Sequence, residues 1–128
     1  MRLLITAFGP FPGVPKNPSE ALARRIAADR RLKAAGIETA VRIFPTEYAA
    51  VTRDIPEILA EVRPACVLML GVASRRRHLS VEKRGANRVS RLHPDASGAR
   101  PPHLLLKPGA PAFRLARAPL GSIVVAAL

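Results

Sequence analysis

At 128 residues the chain is long enough for one hydrophobic core and too short for two, so a single domain over residues 1–128 is expected. Hydrophobic side chains make up 48% but aromatics only 4%, with no tryptophan, so the core must be assembled from Ala, Val, Leu and Ile. The formal charge of +12 would suit nucleic acid, yet residues 1–74 carry ten bases against seven acids while 75–128 carry eleven against two, so the excess is local.

Leu3 to Ala7 reads as a short buried strand, followed by the loop Phe8-Gly9-Pro10-Phe11-Pro12-Gly13. Loops run over the surface, so Phe8 and Phe11 either fold back as anchors or line a pocket at the strand's end. Asn17-Pro18-Ser19-Glu20 is a helix start, with Asn17 as N-cap, Pro18 in the first turn and Glu20 placed to reach back in a capping box. The helix should bury Leu22 and Ile26 on one face and end at Gly36 as a left-handed cap.

Ile37 to Phe44 alternates, which reads as a strand near a sheet edge, and Pro45-Thr46 stops it. A second helix carries Tyr48, Val51, Ile55, either Ile58 or Leu59, and Val62 at helical spacing. Pro56 falls inside it, so a break or kink is expected, with Asp54 capping the second piece. Pro64 then opens a run without polar side chains from Ala65 to Ala73, and the part closed at Gly71 reads as a parallel strand buried on both faces. The order β-α-β-α-β predicts an α/β fold of three layers, with a central, mostly parallel, twisted sheet and helices on both faces.

Beyond Gly71 comes the basic turn Ser74-Arg75-Arg76-Arg77-His78 and then Glu82, the sole carboxylate between Glu61 and Asp95. Ligands in such folds bind past the carboxyl ends of the strands, so Glu82 is the first candidate for chemistry. His78, four residues earlier, could pair with it on one helical turn. Residues 91–111 hold five prolines and two glycines and look like an extended surface loop. Pro119 to Leu128 is an apolar element with no cap or polar tail, as though cut in mid-element.

Cys66 is the single cysteine, so no internal disulfide can form and a reducing compartment fits. It lies five residues before Gly71, roughly 16 Å from the loop end of its strand, and is expected to be a buried hydrophobe rather than a nucleophile. His78, His93 and His103 have no metal-ligand spacing, so neither a metal nor a cofactor is implied. The apolar start stops at Phe8, too short for a signal peptide, and no run approaches a membrane span. A cytoplasmic protein without membrane contact is expected.

Read together, these residues resemble the pyroglutamyl peptidase I (pyrrolidone-carboxylate peptidase) family. The opening Leu4 to Gly13 followed by Asn17-Pro18-Ser19 matches the family's strand, T-G-F-x-P-F-G-G and N-P-[ST]. Pro45-Thr46, the Pro64 strand, Gly71-x-Ala73-x-x-Arg76, and Glu82 with Asn87 follow at the family's spacing.

The resemblance covers nearly all of this chain but about three fifths of a family member, and implies an α/β domain incomplete at its carboxyl end. It implies a cysteine peptidase that removes amino-terminal pyroglutamate from peptides through a Glu, Cys, His triad. Glu82 matches the triad glutamate, and Phe8 and Phe11 match the two phenylalanines that sandwich the lactam ring, which favours pocket over anchor. Ala7, Pro12, Ser74-Arg75, Val72 and Lys83 depart from the family pattern. The nucleophile motif [ST]-x-x-A-G-x-[FY]-[VL]-C-N and the later histidine do not occur, so the chain is expected to be inactive alone.

Two other readings stand beside it. A non-catalytic basic module over 75–128 could bind nucleic acid or another polyanion. Nucleic acid is the disfavoured partner, because no aromatic is interleaved with the bases between Tyr48 and Phe113. Seventeen arginines beside abundant Ala and Pro also fit GC-rich codon usage. Alternatively the piece folds poorly alone. The oligomeric state is left open, a homo-oligomer among the options.

Overall fold

The structure, a computed structural model, describes residues 1–119. They fall into two compact units, one of residues 1–73 and 94–100, the other of 74–93 and the chain from 101 onward. The apolar element expected at Pro119 to Leu128 lies, after its first residue, outside the described residues.

The first unit is built on β1 (Arg2–Phe8), β2 (Glu38–Phe44) and β3 (Cys66–Met69), all parallel in the order β2-β1-β3. Central β1 is buried from Leu4 to Ala7 because both of its faces are covered. On one face, Ile5 and Ala7 pack with Ala23 of helix α1 (Pro18–Ala27), flanked by Ile26, Val41, Ile43 and Leu68. On the other, Leu4 and Phe44 pack with Ile58 of helix α3 (Tyr48–Val62). The expected layering of a parallel sheet between helices is therefore present.

Several local expectations need correction. The first helix is not continuous to Gly36. It stops at Ala27, and Asp29 caps a separate α2 (Arg30–Ala34) by accepting from the Arg31 amide at 2.9 Å. Gly36 does take the left-handed conformation, with φ +69°. The capping box is also absent: Glu20 instead accepts from Arg24 at 3.0 Å, one turn on. Ser19 and Ala23 are the residues α1 buries, while Leu22 stays 40% exposed.

Pro56 does not divide α3, which runs unbroken from Tyr48 to Val62. Its ring costs one backbone bond, but Ala50, Asp54 and Ile58 hold the helix down on either side. Asp54 is not a cap. It is buried and paired with Arg53 at 2.6 Å and Arg42 at 3.9 Å.

A further correction concerns β3. Among the described residues it is an edge strand, not one sheltered on both faces, and Cys66 is exposed rather than buried. An apolar run states that a strand suits burial. It cannot state which neighbours are there to bury it.

In the second unit, β4 (Arg84–Ala86) and β5 (Phe113–Leu115) form an antiparallel ribbon. The Arg84 guanidinium sits 5.2 Å from the centroid of Phe113, a cation–π contact that uses the only aromatic described in that unit. Asn87 fastens the chain opposite: its amide donates to the Lys107 carbonyl and accepts from the Lys107 amide, both at 2.8 Å.

Candidate functional site

The loop after β1 is held by side chains from three elements. Gly9 donates to the Phe44 carbonyl at 2.8 Å, which extends the β1–β2 pairing by one step. Its carbonyl accepts from Asn17 Nδ2 at 2.9 Å and from Thr46 Oγ1 at 3.3 Å. Asn17, 7% exposed, also accepts from the Ser19 amide at 3.0 Å and the Ser19 hydroxyl at 2.7 Å. One buried amide thus caps α1 and ties the loop to it. The Phe8 amide donates to Ser19 Oγ at 3.3 Å, closing the network.

Phe11 and Val14 exchange backbone bonds of 3.2 and 2.8 Å around Pro12 and Gly13. Gly13 has φ +84°, a conformation a side chain resists, and proline suits the preceding turn position. Pro12, a departure from the family's paired glycines, is therefore accommodated. Ala7, the other departure here, is wholly buried against Ala23 and Ile5.

Phe8 and Phe11 are both half-buried. Phe8 packs against Phe44 with ring centroids 6.1 Å apart at 48°, so one side of it anchors the loop to the α3 face of the sheet. The anchoring reading thus has a physical basis at Phe8.

Sequence reasoning missed Asp95. Residues 94–100 return to the first unit, where Asp95 Oδ2 accepts from the Tyr48 amide at 2.9 Å and Ala96 donates to the Thr46 carbonyl at 2.9 Å. Glu47, the N-cap of α3, makes no side-chain capping bond, so Asp95 performs that service from 47 residues away. Its other oxygen accepts from the Ser97 and Ala99 amides and the Ser97 hydroxyl. The Ser97 hydroxyl first, and the Tyr48 amide next, hold this carboxyl below the usual range. Asp95-Ala96-Ser97-Gly98 is legible as a turn. Its distant partner is not.

Glu82 lies in the second unit, with its side chain 69% exposed and Oε1 accepting from Arg76 Nη1 at 2.7 Å. The helical turn that would pair it with His78 does not form, since residues 74–83 are irregular. Arg76 takes that place. Glu82 is thus held by an arginine of the family block Gly71-x-Ala73-x-x-Arg76. Among the described residues no three His, Cys, Asp or Glu side chains gather to hold a metal, and no helix is long and apolar enough to cross a membrane.

Comparison with known proteins places these features in one family. A family profile described as pyroglutamyl peptidase matches residues 1–127. The pyrrolidone-carboxylate peptidase of Gloeobacter violaceus is 36% identical over 97% of this chain and 59% of its own length. That of Thermococcus onnurineus is 32% identical over 98% of this chain and 61% of its own. The structure of a mutant pyrrolidone carboxyl peptidase from Pyrococcus furiosus superposes with a TM-score of 0.89 at 25% identity, covering 98% of this chain and 59% of that one. This chain spans about three fifths of these relatives' length, corresponding to their amino-terminal part.

Proposed function

The chain belongs to the pyroglutamyl peptidase family, and from that premise we propose that it supplies the substrate framework and the triad glutamate of a cysteine peptidase acting on amino-terminal pyroglutamyl peptides. Phe8 and Phe11 would hold the flat, apolar lactam between them. Val72 stands where some members carry glutamine, so the lactam's own N–H and C=O would be met by backbone groups. Glu82, positioned by Arg76, would orient an imidazole and favour its charged form, as the carboxylate does in serine triads. A cysteine thiolate would attack the pyroglutamyl carbonyl to form a thioester, releasing the peptide amine, and water would then hydrolyse the thioester.

Neither the cysteine motif nor its histidine is encoded in the 128 residues, and Cys66 lies four strand residues back from the loop at Leu70. Alone, the chain would bind without turnover. What carries the reading is the loop: Asn17, Ser19 and Thr46 all converge on Phe8 and Gly9, residues of the family's own motif. The test is binding of a pyroglutamyl peptide by calorimetry alongside hydrolysis of pyroglutamyl-aminomethylcoumarin. Saturable binding that Phe11→Ala weakens at least tenfold, with no hydrolysis, is expected. Hydrolysis by the chain alone would overturn the inactivity, and absence of binding would overturn the pocket.

The second reading, a basic module, draws on the ten bases that face Glu82 as the sole acid among the described residues of the second unit. A gel shift that weakens with salt would favour it, and no shift at low salt removes it.

A further inference from the structure

Glu82 is held by its side chain and by the backbone that follows it. Arg76 donates to the carboxylate at 2.7 Å. The chain then enters a ladder at the very next residue, where the Ala116 amide donates to the Lys83 carbonyl at 2.9 Å. That ladder runs through the pairs Arg84–Leu115, Gly85–Arg114 and Ala86–Phe113 to the Asn87 amide, which donates to the Ala112 carbonyl at 2.8 Å. Among the described residues, all of β4 and β5 is exposed. A two-stranded ribbon is marginal on ladder bonds alone, so its side-chain bonds decide how well it is ordered.

Asn87 makes three of them, and it is itself half-buried. Its carboxamide grips one residue twice, donating to the Lys107 carbonyl and accepting from the Lys107 amide, and Nδ2 also reaches the Ala110 carbonyl at 3.3 Å. These bonds span a turn in which the Ala110 amide donates to the Lys107 carbonyl at 3.2 Å and Gly109 takes φ +76°. The turn leads directly into the segment that pairs with β4. Arg84 over Phe113 adds a diagonal contact between the same two strands.

We propose that Asn87 is a positioning residue for Glu82. It locks the 107–110 turn, the turn sets β5 against β4, and the ladder fixes the backbone at Lys83 and with it the carboxylate one residue before. The inference rests on the peptidase reading, in which Glu82 orients an imidazole. It separates turnover from binding, because the loop carrying Phe8 and Phe11 belongs to the other unit and is tied down by Asn17, Ser19 and Thr46.

The test compares Asn87→Ala with the parent. In the chain itself, amide exchange at Ala116 is expected to rise about tenfold, the factor that roughly one net hydrogen bond commands. The Glu82 carboxyl resonance should move toward its position in Arg76→Gln. Exchange along β1 and the affinity for a pyroglutamyl peptide by calorimetry should stay at the parent values, which separates a displaced Glu82 from a chain that fails to fold. When the chain is joined to the unmatched carboxyl-terminal part of the Gloeobacter violaceus relative, Asn87→Ala should lower kcat about tenfold at an unchanged KM. An unchanged Ala116 exchange rate or Glu82 resonance would overturn the inference. So would a loss of peptide affinity as large as the loss in kcat, the mark of general unfolding. A joined parent that binds the peptide without hydrolysing it would count against the peptidase reading, while exchange and the Glu82 resonance would still decide the role of Asn87.

Discussion

Replacing Asn17 by alanine removes a cap and a loop tie in one step, and its cost follows from the bonds lost. The cap to the Ser19 amide is worth about 1 kcal/mol, and the bond to the Gly9 carbonyl about another. Water cannot substitute well, because Asn17 and Ser19 are only 7% and 4% exposed. Gly9 keeps Thr46 as a partner at 3.3 Å, which limits the penalty there. The Ser19 hydroxyl loses its 2.7 Å acceptor and has only the Phe8 carbonyl at 3.4 Å left.

A loss of about 2.5 kcal/mol is expected for Asn17→Ala, a large fraction of the 5–15 kcal/mol that typically holds a domain together, with a fall in Tm of about 10 °C. Asn17→Ser retains a capping oxygen but cannot reach Gly9, so it should lose about half as much. Urea denaturation followed by circular dichroism measures both, provided the slope m is unchanged. A loss below about 0.5 kcal/mol for alanine, or equal losses for serine and alanine, would refute the dual role of this side chain.

Asp95 gives a pH signature. Its carboxyl is held below 3.8 when folded, so its contribution is complete above about pH 4 and is lost as pH falls through the depressed folded value. Asp95→Asn should therefore be less stable than the parent at pH 7, with the gap closing in acid. Parallel thermal melts from pH 7 to pH 2 would show it. Asp29, held to about 2 mainly by the Arg31 side chain, should titrate near that value by NMR and move toward 3.8 in Arg31→Gln. Leu4→Ala, at a site 1% exposed between α3 and β2, should cost about 3 kcal/mol by urea denaturation.

How far the residues disclosed the fold depended on the range of the interactions involved. The cap made by Asn17 and the turn at Gly36 are governed by their own backbone neighbours, and both form as their residue types dictate. The parallel sheet followed from alternating apolar segments, because that order has few solutions. Pro56 and β3 misled for opposite reasons. Proline's local penalty was outweighed by the buried face of α3, and the apolar run at β3 reported a preference whose satisfaction depends on other strands. At the site, the loop Phe8 to Gly13 was legible through its motif. The Arg76–Glu82 pair displaced the expected histidine partner because the backbone there is not helical.

The long reach from Asp95 to Tyr48 imposes an order on synthesis. With a separation of 47 positions along the chain, and a ribosome adding roughly 5–20 residues per second, the amide at the start of α3 emerges some seconds before its acceptor is translated. A nascent chain of 73 residues already carries all three parallel strands, yet its second long helix still begins on bare amides. Pausing within that interval would present chaperones and proteases with a sheet whose final fastening has not been made.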